Sequence, residues 1–145
     1  MYRRILMALE NGPADEAIIP HVAEMARRLG SEVLLLHVAD GWAARNFNLF
    51  QLAESEEMKI DRAYLETIAA RLRSQGLTVA MLLALGDPAK EILKTAESEK
   101  CSLIAMTSHG HRLFGDLIHG STIHEVRHST SIPILLVRAG QKKPD

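Results

Sequence analysis

The run from Glu32 to Val38, with the sequence EVLLLHV, constrains the fold more than any other part of the chain. Almost every position in it is apolar, so a strand formed from this run would be buried on both faces. Strands of that kind occur in parallel sheets that carry helices on each side. The run therefore predicts a central strand of an α/β domain.

Four other short apolar runs alternate with segments of helical periodicity. We predict strands at 4–9, 32–38, 77–85, 103–106 and 132–137, and helices at about 14–29, 50–75, 89–98 and 121–128. This alternation predicts an α/β fold with a doubly wound, mostly parallel five-stranded sheet and four helices. We expect one domain over residues 1–140 and a flexible tail at 141–145. Pro20 lies within the first helical pattern, which leaves open a kink or a later helix start.

Composition narrows the classes of function. The chain has 145 residues, of which 47% are hydrophobic and 24% charged, as in an ordinary globular domain. Its net charge of −1 predicts no general attraction to nucleic acid or to anionic membranes. No apolar run has the length of a membrane span. A single cysteine, Cys101, excludes an internal disulfide and fits a reducing compartment, so we expect a cytoplasmic protein with Cys101 as a small buried residue.

The segment between the fourth and fifth strands has the pattern of a phosphate-binding loop. Gly110, Gly115 and Gly120 precede Ser121, which can cap the following helix. Free N–H groups at a helix N-terminus favour phosphate, and a glycine lets a ligand approach the backbone closely. The pattern predicts a phosphate-bearing small molecule at Gly110 and Gly120–Ser121, and a plain helix cap is the alternative. In doubly wound sheets ligands bind beyond the carboxyl ends of the strands, here at 10–12 and 108–120.

Five of the seven histidines cluster late in the chain, at His109, His111, His119, His124 and His128. His124 and His128 are four residues apart and would share a helix face, a spacing that can bind zinc; a polar helix surface is the alternative. His109 and His111 could contact phosphates when protonated. His37 lies within an apolar strand and is expected to be a hydrogen-bonded core residue.

The sequence contains no recognisable catalytic motif. No glycine is followed by Lys-Ser or Lys-Thr, and there is no Gly-x-Ser-x-Gly segment. Ser108 and His109 are adjacent, but the sequence alone offers no acid that would orient the imidazole. We therefore predict no dedicated catalytic apparatus and no metal site. A slow phosphohydrolase with Asp116 as the metal ligand is a further alternative.

Several segments resemble the universal stress protein family, in its adenine-nucleotide-binding type. They are RRILMALEN at the start, ARRLGSEVLLLHV, GDPAKEI from Gly86, Gly110 separated by nine residues from Gly120-Ser121, and IPILLVR at the end. The glycines and Ser121 match the second half of the motif G-x2-G-x9-G-[ST]. The motif's first glycine is Thr107 here, and the family's aspartate after the first strand is Glu10. Asn11-Gly12 replaces the Gly-Ser that usually follows it.

The resemblance implies a binding site for ATP, ADP or AMP and leaves open whether Mg²⁺ accompanies the nucleotide. Leu9 and Glu10 would border the adenine and ribose, and Val38 would offer backbone groups to the adenine edge. Arg112 would either pair with a phosphate oxygen or remain solvated. The whole implied set is Leu9, Glu10, Val38, Met106, Thr107, Gly110, His111, Arg112, Gly120, Ser121 and Thr122.

The resemblance further implies a small stress-response regulatory protein that retains its nucleotide, and a homodimer formed through the last strand, Ile132 to Val137. An apolar strand at a sheet edge also invites pairing. Two alternatives remain. One is an interaction module of the same fold whose pocket Thr107 and Glu10 close. The other is a slow ATPase.

Overall fold

The computed structural model describes residues 1–39, 56–109 and 120–140. Five strands form one sheet in the order β3-β2-β1-β4-β5, and every pairing is parallel. The described residues thus form a five-stranded sheet and four helices, which confirms the predicted α/β class. The elements are β1 (Arg4–Ala8), α1 (Asp15–Leu29), β2 (Glu32–Ala39), α2 (Glu56–Ser74), β3 (Val79–Leu85), α3 (Pro88–Ser98), β4 (Leu103–Ser108), α4 (Gly120–Ser129) and β5 (Ile134–Arg138).

The helices cover the sheet in two layers. Apolar side chains of α1 and α2 pack with one face of the sheet, around Ile5, Met7 and Leu35. Side chains of α3 and α4 pack with the other face, around Leu6 and Leu36. Because successive residues of a strand point to opposite faces, the continuous apolar runs of β1 and β2 supply both cores. The buried free thiol of Cys101 belongs to the second core, as expected, and burial raises its pKa.

Helix α1 differs from the prediction in the residues that it buries. The helical spacing of the sequence predicts a buried stripe of Ala17, Ile18, His21, Val22, Met25 and Leu29, but the structure leaves His21 and Leu29 exposed. The buried face is instead Asp15, Ile18, Ile19, Val22, Ala23 and Ala26. Pro20 lies inside the helix, and the helix begins at Asp15, so the late start at Pro20 is excluded.

The predicted helix boundaries are confirmed where local chemistry fixes them. Gly30 has φ 68° and ends α1, and its N–H donates to the Ala26 carbonyl. Asp87 caps α3 by accepting a hydrogen bond from the Lys90 N–H at 3.0 Å, and Pro88 follows as the first helical residue. The predicted start of the long helix at residue 50 lies outside the described residues.

Two boundaries near the predicted loop after β4 are wrong. The strand was expected to end at Met106, but it continues through Thr107 and Ser108, which pair in register with Val137 and Arg138. Helix α4 begins at Gly120, so Ser121 lies in its first turn rather than at the cap position before it. Within the described ranges, no helix is long and apolar enough to cross a membrane.

Candidate functional site

The strand order reverses between β1 and β4. Chain order proceeds from β1 outward to β2 and β3, and then returns to the other side of β1 with β4 and β5. In an open α/β sheet, a crevice for ligands forms at the carboxyl ends of the strands that flank such a switch point. The residues that follow β1 and β4, Glu10 and His109, therefore face the place where a ligand is expected.

Glu10 and His109 join across this switch point. Nε2 of His109 lies 2.7 Å from Oε1 and 2.6 Å from Oε2 of Glu10. The two side chains are only 5% and 10% exposed. Carboxylate oxygens accept hydrogen bonds, so Nε2 carries a proton and donates it. The sequence alone supplied no acid to orient His109; the fold brings Glu10 to it from 99 residues away.

The loop after β1 is built around Asp15, a fully buried residue in the first turn of α1. Its carboxylate accepts from the backbone N–H groups of Glu10 at 2.9 Å, Asn11 at 2.9 Å and Gly12 at 3.3 Å. Three consecutive N–H groups around one carboxylate form an anion-binding concavity that the protein fills itself. These donors are therefore engaged within the fold.

Helix α2 adds a second layer behind this loop. The Tyr64 hydroxyl donates to Asp15 Oδ2 at 2.9 Å, and burial together with the Asp15 charge raises the pKa of Tyr64. The side-chain amide of Asn11 donates to the backbone carbonyl of Asp61 at 3.1 Å. These contacts fix the loop to α2, so the conformation of Glu10 depends on residues some 50 positions later.

His37 is a buried core histidine, as predicted, and it supports the end of β1. Its Nδ1 lies 2.9 Å from the Leu9 carbonyl and therefore donates to it, and its Nε2 lies 3.5 Å from Asp61 Oδ2. Leu9 donates its own N–H to the Leu36 carbonyl at 2.8 Å. The side chain of Leu9 is buried in the α1 and α2 core. Contact between Leu9 and a ligand would therefore involve its backbone.

Val38 lies where β2 extends beyond the end of β1. Backbone groups of alternate residues in a parallel strand face the same neighbour. The Leu36 carbonyl faces β1, because it accepts from the Leu9 N–H. The N–H and C=O of Val38, two residues later, therefore face the same side. They lie beyond Ala8, where β1 has ended. The side chains of Val38 and Met106 are buried in the α3 and α4 core. Val38 thus presents peptide groups to the crevice, whereas the Met106 side chain points away into the core.

Thr107 is fully buried at the end of β4, in the position that the nucleotide motif gives to its first glycine. Alternate residues of a strand point to the same face of the sheet. Leu103 and Ala105 belong to the α1 and α2 core, so the Thr107 side chain points to that face as well. Its Oγ1 has no hydrogen-bond partner among the described residues. A buried hydroxyl without a partner costs free energy, so this position requires an explanation.

The first turn of α4 contributes Gly120, Ser121 and Thr122. Gly120 and Ser121 are exposed and Thr122 is buried. A Cβ placed on Gly120 would meet no described atom within 4 Å, so none of the described residues requires glycine there. Gly110, His111 and Arg112, which complete the expected set, lie outside the described residues.

Two further observations concern possible ligands of other kinds. His124 and His128 lie on the exposed face of α4 with ring centroids 4.3 Å apart and ring planes tilted by 51° to each other. Across residues 1–39, 56–109 and 120–140, however, no three His, Cys, Asp or Glu side chains form a group that could hold a metal ion. The zinc site at His124 and His128 and its alternative, a polar helix surface, both remain predictions.

Sequence reasoning missed Asp15, Tyr64, Asp61 and Arg138. Arg138 is in register with Ser108, so both residues lie at the carboxyl ends of their strands. Arg138 is exposed and places a positive charge near the switch point. The sequence contained one usable signal, and it concerned Asp15. This residue lies at helical spacing from Ile18 and Ile19, on the face of α1 that is buried. A carboxylate on such a face requires hydrogen-bond donors.

The fold defines this chain as a doubly wound α/β domain with a switch-point crevice, and sequence comparison specifies the family. The family model described as "Universal stress protein family" matches residues 1–138. The chain belongs to this family, which confirms the resemblance. A similar relative is Universal stress protein MJ0577 of Methanocaldococcus jannaschii. The two sequences are 27% identical over an alignment of 155 residues, which covers 95% of this chain and 96% of that protein.

Solved structures agree with this assignment. The structure of MJ0577 superposes with a TM-score of 0.79 at 28% identity and covers 98% of this chain and 99% of its own. A universal stress protein from Archaeoglobus fulgidus, solved in complex with dAMP, has a TM-score of 0.69 at 19% identity over 94% of this chain and 98% of its own. Another universal stress protein, solved in complex with cAMP, has a TM-score of 0.68 at 12% identity over 96% of this chain and 98% of its own. The last two share the fold with this chain.

Proposed function

We propose that this protein is a cytoplasmic stress-response regulator that binds an adenine nucleotide, ATP, ADP or AMP, at the loops after β1 and β4. The observation that carries the proposal is the Glu10–His109 contact at the switch point, because it places polar groups of both loops where ligands of this fold class bind. Family relatives solved with dAMP and with cAMP support an adenine nucleotide. Nucleotide bound to the folded form alone would stabilise that form and so regulate a partner surface.

The arrangement of donors favours one orientation of the nucleotide. Asp15 already occupies the N–H groups of Glu10, Asn11 and Gly12, so an anion gains little from them. Helix α4 begins at Gly120, and the N-terminus of a helix favours phosphate through its dipole and the direction of its N–H groups. The phosphates would therefore lie toward Gly120 and Ser121. The adenine would lie toward the peptide groups of Val38, with Glu10 beside the ribose.

Thr107 favours a second candidate function, an interaction module of the same fold that binds no nucleotide. Its fully buried, β-branched side chain stands where the motif has glycine, and it adds bulk at the end of β4. The discriminating variant is Thr107→Gly. If this change creates nucleotide binding that the natural protein lacks, the interaction module is the correct function. If the natural protein binds and the glycine variant changes affinity little, the regulatory site stands.

We also propose a homodimer formed through β5. This strand is an edge of the sheet, and its Leu136 is 42% exposed. Edge strands with exposed apolar residues pair readily, whereas a lysine on an edge opposes pairing. Sedimentation at tens of micromolar should give a dimer for the natural protein and a monomer for Leu136→Lys. A monomer for both proteins would contradict the proposal.

The nucleotide site is tested first on freshly purified protein. Native mass spectrometry would identify any nucleotide that is retained, and thermal melts would follow with ATP, ADP, AMP and cAMP, each with and without Mg²⁺. A nucleotide present at 100 times its Kd stabilises the folded state by about 2.7 kcal/mol. For a domain of this size that corresponds to a rise in Tm of roughly 5–10 °C. No retained ligand and no shift at millimolar nucleotide would contradict the proposal.

A further inference from the structure

His124 and His128 form a pair of imidazole rings on the outer surface of α4. They lie four residues apart in the helix Gly120–Ser129, and side chains at that spacing are neighbours on one helix face. Both residues are exposed, and their ring centroids lie 4.3 Å apart. Within the described residues, neither ring makes a hydrogen bond or an ion pair. The two rings therefore lie side by side at the surface, and no described residue engages their nitrogen atoms.

The histidines nearer the sheet differ from this pair. His37 is buried, and its Nδ1 donates to the Leu9 carbonyl at 2.9 Å. Nε2 of His109 lies 2.6 Å from a carboxylate oxygen. In both residues a ring nitrogen is held by a protein oxygen atom. Among the residues that the structure describes, only the pair on α4 brings two imidazole rings together.

The separation of the two rings matches what a shared metal ion requires. A metal–nitrogen bond is about 2.0–2.1 Å long, so an ion in the plane of an imidazole lies about 3.2 Å from the ring centroid. Two rings at a right angle around one ion would then have centroids about 4.5 Å apart, and two rings at a tetrahedral angle about 5.2 Å apart. The observed 4.3 Å is close to the right-angle value. Right angles between neighbouring ligands are typical of square-planar and tetragonal sites, which Cu²⁺ and Ni²⁺ prefer.

We propose that His124 and His128 together bind one divalent transition-metal ion, Cu²⁺ or Ni²⁺, each through one ring nitrogen. Imidazole nitrogen suits both ions. Water must complete the site, because the described residues contain no group of three His, Cys, Asp or Glu side chains that could surround an ion. The exposure of both rings admits that water. The inference is independent of the nucleotide site proposed above, since both rings lie beyond the first turn of α4.

A bound ion would also stabilise α4. The two ring nitrogens meet around one ion only while residues 124–128 are helical, so the ion favours the helical conformation. Helix α4 has 10 residues, and isolated helices of that length are marginal in water. We expect the backbone amides of α4 to exchange with solvent at least about tenfold more slowly in saturating Ni²⁺, as measured by mass spectrometry. The amides of α1 serve as the internal reference and should be unaffected.

The experiment titrates the full-length protein with NiCl₂ by calorimetry at about pH 7.5, where an ordinary histidine is mostly neutral. The natural protein should bind a single ion at its tightest site. His124→Gln and His128→Gln should each weaken this site at least about tenfold, because a lone imidazole loses the effective concentration of its neighbour. His21→Gln is the matched control and should bind like the natural protein. His21 is exposed on α1 and has no histidine three or four residues away.

Two measurements on the natural protein do not depend on how the variants fold. Electron paramagnetic resonance with one equivalent of Cu²⁺ should give a tetragonal spectrum with hyperfine splitting from two imidazole nitrogens. In proton NMR, a small amount of Cu²⁺ should broaden the ring signals of His124 and His128 before those of His21 and His37.

Three results would overturn the inference. Unchanged Ni²⁺ affinity in both His124→Gln and His128→Gln would place the ion elsewhere in the chain. Loss of one of two bound ions, with unchanged affinity for the other, would show that each ring holds its own ion. Coordination of Cu²⁺ by a single imidazole in the natural protein would exclude the shared site. None of these outcomes bears on the nucleotide site, because no nucleotide is present in the samples.

Discussion

The hydroxyl of Tyr64 donates a 2.9 Å hydrogen bond to Oδ2 of Asp15, a carboxylate with no exposed surface. This contact joins the middle of α2 to the first turn of α1. The same carboxylate holds the N–H groups of the loop that carries Glu10. The position of Glu10 in the switch-point crevice therefore depends on a tyrosine that a ligand need not contact.

Tyr64→Phe should lower the free energy of unfolding by about 1.5–3 kcal/mol, because the variant leaves a buried carboxylate with one donor fewer. Urea denaturation monitored by circular dichroism measures this change. Tyr2→Phe is the matched control, since the structure shows no hydrogen bond from the Tyr2 hydroxyl to any described residue. Equal effects of the two substitutions would show that the Asp15 contact contributes no specific stability.

The same contact predicts a dependence on pH. Burial and the Asp15 charge raise the pKa of Tyr64 above its ordinary value near 10. Stability from a raised pKa is fully present below the unfolded-state pKa and is lost as the pH rises through the folded-state pKa. The stability difference between the natural protein and Tyr64→Phe should therefore shrink above about pH 10. A constant difference in urea titrations between pH 8 and pH 11 would contradict this account.

Thr107→Val should raise the free energy of unfolding of the ligand-free protein by about 1 kcal/mol, because it replaces an unpartnered buried hydroxyl with a methyl group of similar shape. Thr107→Ser is the control: it keeps the hydroxyl and loses the methyl, and it should destabilise by about 1 kcal/mol. Destabilisation by valine would mean that the hydroxyl has a partner in solution. Nucleotide titrations of the same variants would show whether that partner is the ligand.

The sequence predicted the architecture well, because continuous apolar runs and the residues that cap or end helices depend on local chemistry. EVLLLHV could only be a strand buried on both faces, and Gly30 and Asp87 fixed helix ends that the structure confirms. Boundaries set by tertiary pairing were less predictable. Thr107 and Ser108 were expected to lie in a loop, but β5 pairs with them and extends β4.

The predicted site was incomplete for a similar reason. Glu10 and His109 were each noticed for their chemistry, but their contact joins residues 99 positions apart and depends on the strand order. Asp15, Asp61 and Tyr64 support the site from helices and belong to no motif, and of the three only Asp15 carries a local signal, its place on the buried face of α1. The roles implied for Gly110, His111 and Arg112 remain predictions, since these residues lie outside the described part of the chain.

Gly120→Ala should leave stability unchanged or raise it by up to about 1 kcal/mol, because alanine favours helix and its Cβ meets no described atom within 4 Å. Nucleotide affinity should nevertheless fall at least about tenfold, since the Cβ would stand where phosphate approaches the helix N-terminus. Gly140→Ala, which also meets no described atom within 4 Å, is the control and should alter neither property. Unchanged affinity in Gly120→Ala would place the phosphates elsewhere.

The central claim is that an adenine nucleotide binds at the carboxyl ends of β1, β2 and β4. Backbone amide NMR of the natural protein, titrated to saturation with ATP, tests this most directly. We expect large chemical-shift changes at Glu10, Val38 and Ser121, and small ones at the amino ends of the same strands, at Arg4, Glu32 and Leu103. Changes concentrated at the amino ends, or no changes at millimolar ATP, would contradict the claim.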